Sequence, residues 1–142
     1  MCIGGFEKWV CLKRVCSHFV LLKPRVQQAV QELKGKAGVA GPDDAPVVVF
    51  VHGLAASLEA WAGQAERLAG RYRVLRYDTR GFGRSTPMAA NHPWAIGQIM
   101  DDINGLLDHL KIDTAHVVGG KSGGTIAIKL AADYPKRVSK LA

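Results

Sequence analysis

One ten-residue stretch, Ala115 to Gly124 (AHVVGGKSGG), constrains this chain more than any other. An apolar run ends in two glycines, a Lys-Ser pair and two more glycines, and TIAIKLAADYP then reads as a helix. Strand, sharp turn and helix is the setting in which a serine can be lifted out of a sheet as a nucleophile. Gly120, Ser122 and Gly124 fill the fixed positions of G-x-S-x-G. A serine in such a turn carries a backbone cost of about 1–3 kcal/mol, and flanking glycines remove the Cβ atoms that would clash. The turn is expected to hold the Ser122 hydroxyl at the carboxyl end of the strand. The helix amides, first that of Gly123, would then face any anion formed there.

Two other readings share these letters. Gly120-Lys121-Ser122 is the tail of a phosphate loop, G-x-x-x-x-G-K-[ST]. Its leading glycine falls on Ala115, and His116 to Gly119 read as strand, so a nucleotide site is the lesser alternative. A glycine-rich turn in a non-catalytic binding or regulatory module is the other.

A chain of 142 residues, 48% apolar and without repeats, is large enough for one core. Its formal charge of +7 looks like a nucleic-acid signal until it is located. Residues 1–36 hold seven of the nineteen basic residues but only two of the twelve acidic ones, Glu7 and Glu32. The basic excess therefore belongs to a leader, residues 1–40, on a near-neutral core domain, residues 41–142, and no nucleic-acid partner is expected. Within the leader, Leu12, Val15, Cys16 and Phe19, and then Val26, Ala29, Val30 and Leu33, recur at helical spacing, so two short helices are expected. Its apolar runs are too short to span a bilayer. The leader is expected to be peripheral or loosely ordered, with contact to an acidic membrane surface as the alternative. Cys2, Cys11 and Cys16 lack metal spacing, so no metal is expected, and free thiols point to the cytoplasm.

The turn-rich segment AGVAGPDDAP, residues 37–46, ends at Val47 to Val51, a β-branched run expected to be a strand buried on both faces. His52-Gly53-Leu54 follows, then Ser57 as cap of a helix carrying Trp61, Ala65, Leu68 and Ala69. Arg73 to Tyr77 is the next strand, ending in DTRGFGRS; a dinucleotide fingerprint fails there because Thr86 stands at the third glycine position. A long helix follows, with Ile96, Ile99, Ile103, Leu106, Leu107 and Leu110 in phase.

With HGL at 52–54, DTRGFGRS at 78–85 and GKSGG at 120–124, each after a strand, residues 41–142 resemble the α/β-hydrolase superfamily, in its esterase and lactonase branch. The resemblance implies an α/β fold: the N-terminal half of a doubly wound parallel sheet, three to four strands with helices on both faces. It implies a serine hydrolase of carboxylic esters, lactones or related acyl compounds, with Ser122 as nucleophile and no cofactor. The backbone amides of Leu54 and Gly123 would form the oxyanion hole, and His52, Gly53, Gly120, Gly124, Asp78 and Arg80 would support the site. Serine at 122 is unlike the dehalogenases and epoxide hydrolases, which carry aspartate there. Two letters depart from the family's habit: Lys121 stands where histidine is frequent, and Gly123 where a bulky residue is. The hairpin expected ahead of the His-Gly strand is not evident in the leader. Val138 to Ala142 read as the opening of the sixth strand. The family's cap, acid and histidine lie further on, so the 142 residues alone are expected to be inactive.

Overall fold

The computed structural model describes residues 30–32, 44–85, 87–88, 91 and 95–142. Five strands form one sheet in the order β1-β3-β2-β4-β5: β1 Val30–Glu32, β2 Val47–Val51, β3 Arg73–Tyr77, β4 Ala115–Gly119 and β5 Val138–Leu141. Strands β2 to β5 run parallel, and β1 lies antiparallel on the edge. Between them come a 3-10 turn at Leu58–Trp61 and the helices α1 Ala62–Leu68, α2 Ile96–His109 and α3 Ser122–Asp133.

Central strand β2 shows why VVVFV makes a buried strand. Successive side chains point to opposite faces, so a strand covered on both sides must be apolar throughout. Val49 and Val51 join Leu75, Tyr77, Val117, the α2 residues Ile99, Ile103 and Leu107, and the α3 residues Ile126 and Leu130 in the larger core. Val48 and Phe50 point the other way, with Val74, Ala65, Trp61 and Leu68. Phe50 and Trp61 stack there, ring centroids 4.8 Å apart. Helices therefore cover both faces, as the doubly wound reading requires.

The chain leaves β2 for β3 on one side and later passes to β4 on the other. That reversal opens a crevice at the carboxyl ends of β2 and β4, the usual place for a ligand in an open α/β sheet.

The leader departs from expectation. Val30–Glu32 is not helical but pairs with β3 in register Val30↔Tyr77 to Glu32↔Leu75. An uncovered edge of β3 would leave a row of backbone groups unpaired, and three extended residues satisfy them. An antiparallel strand thus does precede the His-Gly strand. The other expectations for the leader, its first helix and its membrane contact among them, fall outside the described residues. Ser57 caps as expected, its Oγ accepting from Glu59 N at 3.4 Å, but it opens the 3-10 turn that leads into α1. No helix among the described residues is long and apolar enough to cross a membrane.

Candidate active site

Between β4 and α3 the chain reverses within two residues. Lys121 takes φ 56° and ψ −125°, while Ser122 is already the first residue of α3. The left-handed residue of the turn is therefore Lys121 and not Ser122, which corrects the expected frame by one position. The glycines confirm the shift. A Cβ on Gly119 would lie 2.4 Å from the Gly123 carbonyl oxygen, and one on Gly123 would lie 2.2 Å from that of Val51. At both positions any side chain would force the backbone to shift, and both stand two residues from Lys121. Gly124 meets only ordinary contacts, 3.5 Å and beyond, and Gly120 is confined by the ring of Trp61 at 2.9 Å. Four glycines in six letters admit two equally spaced pairs, and choosing the pair around serine selected the wrong one.

The hydrogen bonds of the turn move a second role. Gly123 N donates to Gly120 O at 2.9 Å and Gly124 N to Lys121 O at 3.0 Å. The Gly123 amide therefore closes the turn and is not free to hold an oxyanion. The Ser122 amide, at the first position of α3, has no carbonyl of its own helix to reach. The Leu54 N–H donates to Ser122 Oγ at 2.7 Å. That bond joins residues 68 positions apart across the crevice. Gly53 makes the approach possible: a Cβ there would sit 3.0 Å from Lys121 Cβ and 3.4 Å from Ser122 Oγ.

His52 holds this turn from below. It is 2% exposed; its Nε2 accepts from Thr79 N at 2.9 Å, which leaves Nδ1–H to donate to Gly53 O at 2.8 Å. Both nitrogens are committed, so the ring is a structural, neutral tautomer. Asp78, 1% exposed, is likewise a scaffold: its carboxylate accepts from Leu58 N at 2.7 Å and Arg84 N at 2.9 Å. A Cβ on Gly83, at φ 54°, would lie 2.2 Å from the Asp78 carboxyl carbon. The two glycines of DTRGFGRS thus serve this loop and not a dinucleotide. Arg80 grips Asp102 of α2 with two parallel hydrogen bonds, which pin the loop to the helix and raise the arginine's pKa further.

Of the other histidines, His116 bonds Ser139 through Nδ1 at 2.7 Å and lies near the start of β4, and His109 ends α2. His18 and His92 fall outside the described residues. No cluster able to hold a metal occurs among the described residues. The segment Ala115–Gly119 is a strand paired with both β2 and β5, which leaves no loop to cradle a phosphate. What remains is a shallow cleft lined by His52, Gly53, Leu54, Thr79, Phe82, Ser122 and Ile126.

A family model for the alpha/beta hydrolase fold matches residues 46–142. A candidate carbamate hydrolase, RutD, of Caulobacter sp. (strain K31) is 40% identical over 102 residues, which are 71% of this chain and 38% of that protein. Epoxide hydrolase 1 of Caenorhabditis elegans is 33% identical over 138 residues, 97% of this chain and 30% of that protein. The solved enol-lactonase from Burkholderia xenovorans LB400 matches with a TM-score of 0.69 at 35% identity, over 80% of this chain and 41% of that one. The chain therefore spans less than two fifths of the length of these curated relatives. On the family match over residues 46–142 and the likeness to the solved enol-lactonase, the chain belongs to the alpha/beta hydrolase fold family.

Proposed function

We propose that the protein is a hydrolase of small esters, lactones or related acyl compounds, with the substrate carbonyl oxygen seated on the amides of Leu54 and Ser122. One observation carries this reading: the Leu54 N–H and the Ser122 hydroxyl meet at 2.7 Å at the mouth of the cleft. A backbone donor aimed at an oxygen beside the cleft supports this reading, since each donor to an oxyanion is typically worth about 100- to 1000-fold in rate. An entering carbonyl oxygen takes the Leu54 N–H, and the displaced Ser122 hydroxyl attacks the carbonyl carbon, forming an acyl-enzyme that water then releases. The resemblance to a solved enol-lactonase supports an acyl substrate.

Attack requires a base, and no described histidine is placed to be one. His52 Nε2 is occupied by Thr79 N, and His116 sits at the far end of β4. At about 3.3 Å per residue, the five positions separating His116 from Lys121 carry it well away from the cleft. With no base among the described residues, turnover is expected to be lost, since losing one member of such a triad costs up to about a millionfold. Imidazole added as an external base tests the role of Ser122 directly. After subtraction of the protein-free reaction of imidazole with the ester, hydrolysis of 4-nitrophenyl acetate is expected to show an imidazole-dependent increment in the wild type that disappears in Ser122→Ala. Equal increments in both would contradict the reading.

A second reading, a binding module without turnover, is favoured by Lys121: the elbow's left-handed position carries an amine and no hydroxyl.

A further inference from the structure

Among the described residues three non-glycine residues have positive φ: Ala55, Lys111 and Lys121, each at 56°. Ala55 is the third residue of the turn closed by Ala56 N donating to Gly53 O, where type II turns place positive φ. Lys111 follows the end of α2, where left-handed residues are common. Lys121 alone has no such excuse, and its ψ of −125° is far from the left-handed helical basin near +47°. Backbone of this kind persists where the surroundings enforce it, and it marks sites of function. The enforcement is visible in Gly119, Gly123 and Gly53, each cleared of its Cβ so that the turn can close.

We propose that the amine of Lys121 is the group this elbow raises toward a bound carbonyl, and that the cleft captures aldehydes or ketones through it as imines. The inference rests on the carbonyl seat of the preceding section but not on any reaction of the Ser122 hydroxyl. Two further observations support it. The Lys121 stem leaves the backbone beside Gly53, at the point where Ser122 Oγ meets the Leu54 amide. Its side chain is exposed and forms no ion pair among the described residues, so no described carboxylate draws the amine away from the cleft.

The chemistry balances without a co-reactant. The lone pair of the unprotonated Nζ forms a bond to the carbonyl carbon, and the carbonyl π pair moves to the oxygen held by the Leu54 and Ser122 amides. A proton passes from nitrogen to that oxygen, giving a carbinolamine. The hydroxyl then leaves as water with the second nitrogen proton, and an imine remains. The same attack on an ester would expel the alcohol and leave an amide, which does not turn over. A lysine in this place therefore suits an aldehyde or ketone, where capture is reversible.

Reductive trapping tests the proposal. The 142-residue chain is treated with acetone and cyanoborohydride, and isopropyl-lysine is mapped by peptide mass spectrometry over time. Lys136 and Lys140, both exposed, serve as internal references. Lys121 is expected to be modified about 100-fold faster than either, the factor one well-aimed oxyanion donor typically supplies. Ser122→Ala, which uncovers the Leu54 N–H, should raise the Lys121 rate further and leave the reference lysines unchanged. Modification of Lys121 at the same rate as Lys136 and Lys140, in wild type and variant alike, would overturn the proposal. Imidazole-dependent ester hydrolysis reports on the Ser122 hydroxyl alone, so either reading can fail while the other stands.

Discussion

Placing alanine at two adjacent glycines should move stability in opposite directions. Gly123→Ala sets a Cβ 2.2 Å from the Val51 carbonyl oxygen and 2.8 Å from that of His52, both backbone atoms of the central strand and its exit. A carbon and an oxygen need about 3.3 Å, as in the close Cα–H···O contacts of sheets. Roughly 1 Å of separation between α3 and β2 must therefore open, stretching the 3.2 Å bond from Gly120 N to Val51 O. Forced overpacking of this kind costs about 1–3 kcal/mol, against which alanine regains about 0.5–1 kcal/mol of helix preference. A net loss of about 1 kcal/mol is expected, which for a domain of this size lowers Tm by about 4 °C. Gly124→Ala meets nothing closer than 3.5 Å, so only the helix gain operates and Tm should rise by about 2–4 °C. Thermal unfolding of the two variants by circular dichroism measures both. If Gly124→Ala were the damaging change and Gly123→Ala were tolerated, the elbow would be centred on Ser122 and the geometric reasoning would be wrong.

Three other perturbations follow from the same contacts. Lys121→Gly relieves the left-handed backbone and should stabilise the fold by about 1 kcal/mol in urea unfolding, marking strain kept for function. His52→Ala leaves the buried Thr79 N–H without its acceptor and should cost about 2–4 kcal/mol, the sum of a lost partner and a cavity. Burial pushes the Tyr77 hydroxyl well above its ordinary value of 10.0. The folded state thus keeps its proton when the unfolded chain has lost it, and stability should fall as pH rises above about 10, by up to about 1.4 kcal/mol per pH unit. Tyr77→Phe should remove that part of the slope, read by comparing denaturant midpoints of the two proteins at pH 9 and 11.

The sheet was legible because its strands announce themselves in two ways at once. Val47 to Val51 is a short β-branched run and Arg73 to Tyr77 a short one with Val74, Leu75 and Tyr77 apolar, and each ends in a turn segment, HGL or DTRG, that has a separate steric reason to be there. The phase of Ile99, Ile103 and Leu107 likewise leaves one face of α2 to bury. The elbow was legible as a turn but not in its register. Gly123 is needed because the elbow meets the Val51 carbonyl of a distant strand, and Gly119 because the turn folds back onto the Gly123 carbonyl; the letters alone do not record which of the four glycines each contact demands. The same holds for the oxyanion donors: whether Gly123 or Ser122 offers its N–H depends on which carbonyl the turn already uses. Strand β1 was missed because Val26, Ala29, Val30 and Leu33 satisfy a helical period, while the bare edge of β3 that recruits residues 30–32 exists only in the assembled sheet.

The central claim is that a carbonyl oxygen binds where the Leu54 and Ser122 amides converge. An amide NMR titration of the 142-residue chain with a short lactam, the stable analogue of a lactone, tests it most directly because binding needs neither base nor turnover. Saturable shifts of the Leu54 and Ser122 amide signals, with Gly123 N–H held to Gly120 O and little moved, are the predicted result. Shifts centred on Gly123, or none at Leu54 up to the highest lactam concentration, would contradict it.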